Sequence, residues 1–202
     1  EALQAGDLDT VKEKVSQGLK EDYEPRELLN EGLLKGMGII GEKFKNNEVF
    51  VPEVLIAARA MNGGMEILKP KLVETGVKSI GKVVMGTVAG DLHDIGKNLV
   101  KMMMEGSGFE VVDLGTDVSP EAFSQAVKEH KPDIVGLSAL LTTTMPVMEK
   151  VVNKLEEEGL RDDVIIMIGG APITDKYCQK IKADAYAKDA ATAATEAKAM
   201  VS

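Results

Sequence analysis

Apolar residues recur every three or four positions through about the first 75 residues of the chain, the spacing of helices that bury one face. Leu8, Val11, Val15 and Leu19 mark a short amphipathic helix that fades at Gly18. Pro25 suits the first turn of a second helix, along which Leu28, Leu29, Leu33, Met37, Ile40 and Phe44 recur. Asn46-Asn47 breaks that pattern and Val51-Pro52 opens another helix, with Val54, Leu55, Ala58, Met61, Met65 and Leu68 on its apolar face. This pattern predicts a helical bundle over residues 1–75.

From Ile80 the period changes. Short runs rich in β-branched residues, Lys82–Ala89, Phe109–Leu114, Asp133–Leu140, Val164–Ile168 and Ala183–Ala187, alternate with amphipathic stretches at 95–106, 119–130, 144–158 and 173–182, and an Ala-rich helix closes the chain at 189–201. Such alternation predicts an α/β domain over residues 80–202, a five-stranded parallel sheet with helices on both faces. Leu72–Ser79, with Gly76, reads as the linker. Sheets of this kind bind ligands beyond the carboxyl ends of their strands, so the residues after each run are the ones to inspect.

Composition narrows the function. A chain of 202 residues, 44% hydrophobic and 28% charged, is an ordinary globular protein. Its net charge of −9 argues against nucleic acid and against an anionic membrane surface as partners. No apolar run approaches the ~20 residues of a membrane span. The acidic N-terminus lacks a signal-peptide pattern, and a single cysteine, Cys178, cannot form an internal disulfide; both point to the cytoplasm. Cys178 reads as a packed helix residue, as do Met102-Met103-Met104, while His130 reads as a helix C-terminal residue and Glu156-Glu157-Glu158 as a solvated helix end.

Between the first strand and its helix lies Gly86-Thr87-Val88-Ala89-Gly90-Asp91-Leu92-His93-Asp94-Ile95-Gly96-Lys97-Asn98. It is not a phosphate loop: five residues separate Gly90 from Gly96-Lys97, and Asn98 stands where Ser or Thr should hold magnesium. A dinucleotide loop is excluded because the glycines fall four and six apart. An Asp two residues before a His at a strand tip is either a capped turn or a metal-ligating imidazole oriented by a carboxylate. Zinc would need further His or Cys ligands, which are scarce here, so any metal at His93 must draw its other ligands from elsewhere, as in a macrocycle. The third strand ends in Ser138-Ala139-Leu140-Leu141-Thr142-Thr143-Thr144, where Thr142 or Thr143 is expected to cap the next helix. The fourth ends in Gly169-Gly170, a turn or a place where a ligand meets bare backbone.

Taken together, Asp91-x-His93-x-x-Gly96, Ser138-x-Leu140 and Gly169-Gly170, with 41 and 28 residues between them, resemble the cobalamin-binding signature of methionine synthase and of the corrinoid proteins of methylamine, methanol and glycine-betaine methyltransferase systems. The helical segment resembles the cap of those proteins at Gly36-Met37 through Phe44 and at Phe50-Val51-Pro52, with Asn30, beside Glu31, where they carry a glutamate. The resemblance implies a helical-bundle cap followed by a Rossmann-like (flavodoxin-like) sheet. It further implies a methyl carrier that binds cobalamin base-off and His-on, cycling between cobalt(I) and methylcobalt(III). In that reading His93 is the metal ligand, Asp91 accepts from its far nitrogen, and Thr144 completes the relay where methionine synthase has Ser. Gly90, Leu92, Asp94, Ile95, Gly96, Ser138, Leu140, Thr142, Gly169, Gly170 and Ala190 line the cofactor, and Phe44 and Val51 cover its upper face. The implied partners are a substrate-specific methyltransferase, a methyl-accepting methyltransferase using tetrahydrofolate or a thiol, and a reductive activating protein; the carrier is not catalytic alone. The competing readings are a cobalamin-dependent sensor or regulatory module, the binding subunit of a carbon-skeleton mutase, and a flavodoxin-like module for another ligand.

Overall fold

In a computed structural model that describes residues 1–76 and 78–201, the chain divides into two compact units. One comprises Glu1–Ser79 with Gly106–Gly108, the other Ile80–Glu105 with Phe109–Ser202. Val77 of the expected linker and Ser202 at the end of the expected α/β domain lie outside the described residues.

In the helical unit, the Asp7 carboxylate accepts from the Thr10 amide (3.0 Å) and starts α1, Leu8–Lys20. The helix does not fade at Gly18. Gly18 is buried within it, and a Cβ there would lie 2.7 Å from Leu28, so the residue is a packing contact rather than a breaker. Pro25–Glu27 (α2) runs into a π-helical stretch, Leu28–Leu34, and then into α3, Lys35–Lys45. Leu33, Met37 and Ile40 are buried, while Leu28, Leu29 and Phe44 are half-buried. Asn47 adopts φ 59°, a left-handed conformation that asparagine tolerates, and ends the run. Glu53 then accepts from the Phe50 amide (3.0 Å) to open α4, Val51–Glu74. Val54, Ala58, Met61 and Leu68 face inward as expected, but Leu55 is exposed, because Ala57 and Ala60 complete the buried stripe. Helix α4 also extends into the expected linker, as Leu72 is buried.

The second unit is a five-stranded parallel sheet in the order β2-β1-β3-β4-β5. The strands are β1 Lys82–Thr87, β2 Glu110–Asp113, β3 Ile134–Ser138, β4 Ile165–Gly169 and β5 Ala185–Tyr186, each parallel to its neighbours. They alternate with α5 Ile95–Glu105, α6 Pro120–His130, α7 Met145–Glu157, α8 Asp175–Lys180 and α9 Ala190–Val201. Val84, Val135 and Ile166 are fully buried across the middle of the sheet, beneath Phe123, Val151 and Leu155 of α6 and α7. Burial on both sides is what turns these strands into continuous apolar runs. Met103 and Met104 are buried in α5, and Cys178 is buried in α8, where burial and the carboxylates of Asp175, Asp184 and Glu196 push its thiol up. Among the described residues no helix is long and apolar enough to cross a membrane.

After β1 the chain moves outward to β2, then returns to place β3 on the other side of β1. The strand order thus reverses between β1 and β3, the place where sheets of this kind bind ligands in a crevice beyond the carboxyl ends of their strands.

Candidate functional site

That crevice holds the loop after β1. Gly90, with φ +83°, turns the chain sharply and lets Asp91 point into the protein, where it is fully buried. Its Oδ1 accepts from the His93 ring Nδ1 (2.7 Å) and from the His93 amide (3.1 Å). Its Oδ2 accepts from the Leu140 amide (2.8 Å), the Leu141 amide (3.2 Å) and the Thr144 hydroxyl (2.8 Å). Burial alone would raise the Asp91 carboxyl. The His93 ring, the Leu140 and His93 amides and the Thr144 hydroxyl outweigh it and hold the group far below the usual carboxylate range.

The proton assignment follows. An ionised carboxylate only accepts, so His93 Nδ1 must carry the hydrogen, and the lone pair of the neutral ring sits on Nε2. With the side chain 51% exposed, the ring projects from the loop with that nitrogen free of Asp91. Among the described residues no three His, Cys, Asp or Glu side chains gather to hold a metal ion. The loops that carry the imidazole and the partners of Asp91 also expose large apolar side chains: Leu92 and Ile95 are 73% and 77% exposed, and Leu140 is 43% exposed. At Gly96 a Cβ would meet nothing within 4 Å, leaving the first turn of α5 open to a ligand.

The other expected residues lie on several elements. Asp94 accepts from the Asn98 amide and side chain (2.7 and 3.0 Å) at the start of α5. Ser138 ends β3 opposite Gly169, which ends β4, and Ala190 is buried as the first residue of α9. Phe44 and Val51 belong to the helical unit, where each is half-buried. The threonine expectation is corrected: Thr142 and Thr143 are exposed, and it is Thr144 that stands at the N-cap of α7. Its hydroxyl makes no cap, because it bonds Asp91 instead.

Two residues missed in the sequence complete the loop. Asp117 accepts from the Gly90 amide (2.7 Å), and its own amide donates to the Asp91 carbonyl (3.1 Å). Thr87, fully buried at the end of β1, donates its hydroxyl to the His93 carbonyl (2.9 Å).

Gly170 is required by more than a turn. It adopts φ +135°, and a Cβ there would stand 1.9 Å from the Ala139 carbonyl oxygen. Gly170→Ala is therefore expected to destabilise the protein by about 2 kcal/mol or more in chemical denaturation, through strain and displacement of the β3 loop.

A single free imidazole nitrogen amid exposed apolar side chains, at the switch point of a parallel sheet, suits a broad, flat metallocycle whose ring supplies the metal's other ligands. The class so defined is the corrinoid-binding α/β proteins. The chain belongs to the B12 binding domain family, which matches residues 81–197, and a second family of the same description matches residues 1–69. Its cofactor is cobalamin or a related corrinoid. Dimethylamine corrinoid protein 1 of Methanosarcina acetivorans is 45% identical over 183 residues, 90% of this chain and 86% of the relative. Trimethylamine corrinoid protein 1 of the same organism is 41% identical over 203 residues, 100% of this chain and 94% of the relative. Among solved structures, the methanol:cobalamin methyltransferase complex MtaBC from Methanosarcina barkeri matches with a TM-score of 0.89 and 32% identity, covering 99% of this chain and 76% of that one. A cobalamin-binding protein from Desulfitobacterium hafniense matches with a TM-score of 0.81 and 36% identity, over 100% and 96% of the two chains.

Proposed function

We propose that this chain is the methyl carrier of a corrinoid-dependent methyltransferase system, with His93 as the protein ligand to cobalt. The observation that carries this reading is the His93–Asp91 pair, a projecting imidazole whose Nδ1 is bound by a buried carboxylate. Bound cobalamin would supply a nucleophilic cobalt that takes up a methyl cation and later releases it to an acceptor, the metal keeping the bonding electron pair.

The residues supply the rest. Asp91 fixes the ring's tautomer and orientation, so that Nε2 meets the metal as a lone-pair donor. Asp91 keeps the ring hydrogen on Nδ1 as the imidazole engages and disengages. Thr144 and the Leu140 and Leu141 amides hold Asp91 ionised through that change. Ser138, Leu140, Gly169 and Gly170 would hold the nucleotide tail of a base-off cofactor, Gly90, Asp94, Gly96, Thr142 and Ala190 would line the same crevice, and Leu92 and Ile95 would give the ring an apolar seat.

The methylamine names of the relatives and the methyltransferase bound in the MtaBC complex support a matching pair of partners. One methyltransferase loads methyl from a substrate of the methylamine type, and a second removes it to tetrahydrofolate or a thiol. A reductive activating protein restores cobalt(I) after oxidation.

The test is reconstitution with hydroxocobalamin, desalting, reduction and exposure to methyl iodide. The carrier should keep its cofactor through desalting, show it methylated, and lose the methyl group to a thiol only when a methyl-accepting methyltransferase is added. Loss of the cofactor on desalting, or a methyl group no such enzyme removes, contradicts the proposal.

A further inference from the structure

The lower-ligand loop carries a second restraint, on its main chain rather than on its ring. Residues 91–94 belong to no helix or strand, and Asp91 Oδ1 holds His93 at its ring Nδ1 and at its amide, which leaves the His93 carbonyl side of the main chain to be held by another group. The Thr87 hydroxyl donates to the His93 carbonyl from inside the protein, at 2.9 Å and from a residue with no exposed surface.

Thr87 is itself immobilised on both sides. Its amide donates to the Gly115 carbonyl (2.9 Å), its carbonyl accepts from the Val118 amide (2.9 Å), and its Cα is in register with Ser138 of β3. Gly115 is held in turn, because its amide donates to Asp113 Oδ1 (3.0 Å). The same oxygen receives Lys97 Nζ at 2.6 Å, from a lysine whose side chain is 2% exposed. Lys97 also donates to Asn98 Oδ1 (2.8 Å), and Asn98 donates back to Asp94, beside His93. The hydrogen bonds thus return to the residue after His93, enclosing its main chain between the strand end and the first turn of α5.

We propose that Thr87 is a positioning residue for the cobalt ligand, setting the height of His93 above the sheet while Asp91 sets the angle of its ring. This rests on the reading of His93 as the lower ligand. Thr87 touches neither metal nor substrate; it acts through the His93 carbonyl. A loop seated by β1 would present Nε2 at one height, whereas a loose loop would share its population between engaged and withdrawn positions.

The test compares Thr87→Val, which keeps the branched shape and removes the hydroxyl, with Thr87→Ser, which keeps the hydroxyl and removes the methyl group. Each is loaded with hydroxocobalamin and reduced to cobalt(II), and the fraction of protein-ligated cobalt is read by electron paramagnetic resonance with isotopically labelled histidine nitrogen. Thr87→Val should lower the ratio of ligated to unligated cobalt by about fivefold, the scale of one lost hydrogen bond, and Thr87→Ser should restore it. Without cofactor, the His93 and Asp94 amides should exchange faster in Thr87→Val and normally in Thr87→Ser. If Val unfolds the chain, Ala against Ser makes the same comparison. Equal ligation and equal exchange with and without the hydroxyl overturn the inference. His93→Ala serves as the control: if it matches wild type, the ligand reading fails, whereas a loss in His93→Ala with no effect of Thr87→Val overturns only the role of Thr87.

Discussion

His93→Ala is expected to abolish protein ligation of cobalt while leaving the fold nearly as stable as before. The two effects separate because of where the side chain sits. The ring is 51% exposed and lies in a loop, so removing it leaves little cavity. Asp91 loses one hydrogen bond at Nδ1 but keeps the His93, Leu140 and Leu141 amides and the Thr144 hydroxyl, so the loss in stability should be about 1 kcal/mol or less. No other imidazole can substitute. His130 ends α6, which leads into β3, and so it stands at the edge where the strands begin. The visible spectrum of the loaded variant should lose the contribution of the protein ligand, with a thermal midpoint within a few degrees of wild type. An unchanged spectrum would remove His93 from the role.

Asp91→Asn should damage both stability and ligation, the second through the tautomer. Two amides and a hydroxyl converge on Asp91 Oδ2, so the amide oxygen of Asn must take that place. The NH2 group then faces His93 and donates to Nδ1, which must become an acceptor. The ring hydrogen moves to Nε2 and masks the lone pair that would bind cobalt. Ligation should fall by about 10- to 100-fold, as for other groups that orient a metal-bound histidine, and the fold should lose about 2 kcal/mol. The pH dependence gives an independent check. The folded-state pKa of Asp91 lies below the ordinary value of 3.8, so its contribution to stability is complete well above that value. It is lost as pH falls below 3.8 toward the depressed folded pKa. In acid denaturation of the cofactor-free protein, wild type should therefore lose its advantage over Asp91→Asn below about pH 4. A gap that stays constant through that range would mean Asp91 is not held ionised by these bonds.

Much of this was legible before the structure. The change from helical period to short β-branched runs located every strand to within about two residues, and buried strands announce themselves as apolar runs. The Asp91-x-His93 spacing pointed to an imidazole oriented by a carboxylate, and the structure brings the two side chains together. What was not legible depends on tertiary contact. Gly18 reads as a breaker until Leu28 is seen packed against it. Among three consecutive threonines, local capping rules favoured Thr142 or Thr143, but the buried Asp91 carboxylate outcompetes the helix end for a hydroxyl and selects Thr144. Thr87 and Asp117 carry no sequence signal of their own, one an ordinary strand residue and the other an ordinary loop acid. Only the parallel pairing of β1 with its neighbours brings them against the His93 loop.

The most direct measurement is electron paramagnetic resonance of the cobalt(II) form of the loaded wild-type protein, prepared with and without isotopic labelling of histidine nitrogen. The nucleotide base of the cofactor also carries a nitrogen, and labelling only histidine separates the two sources. Ligation by His93 predicts an axial-nitrogen splitting that changes with the label and disappears in His93→Ala. A splitting indifferent to the label would mean the cofactor keeps its own base, and that His93 and Asp91 serve some purpose other than holding cobalt.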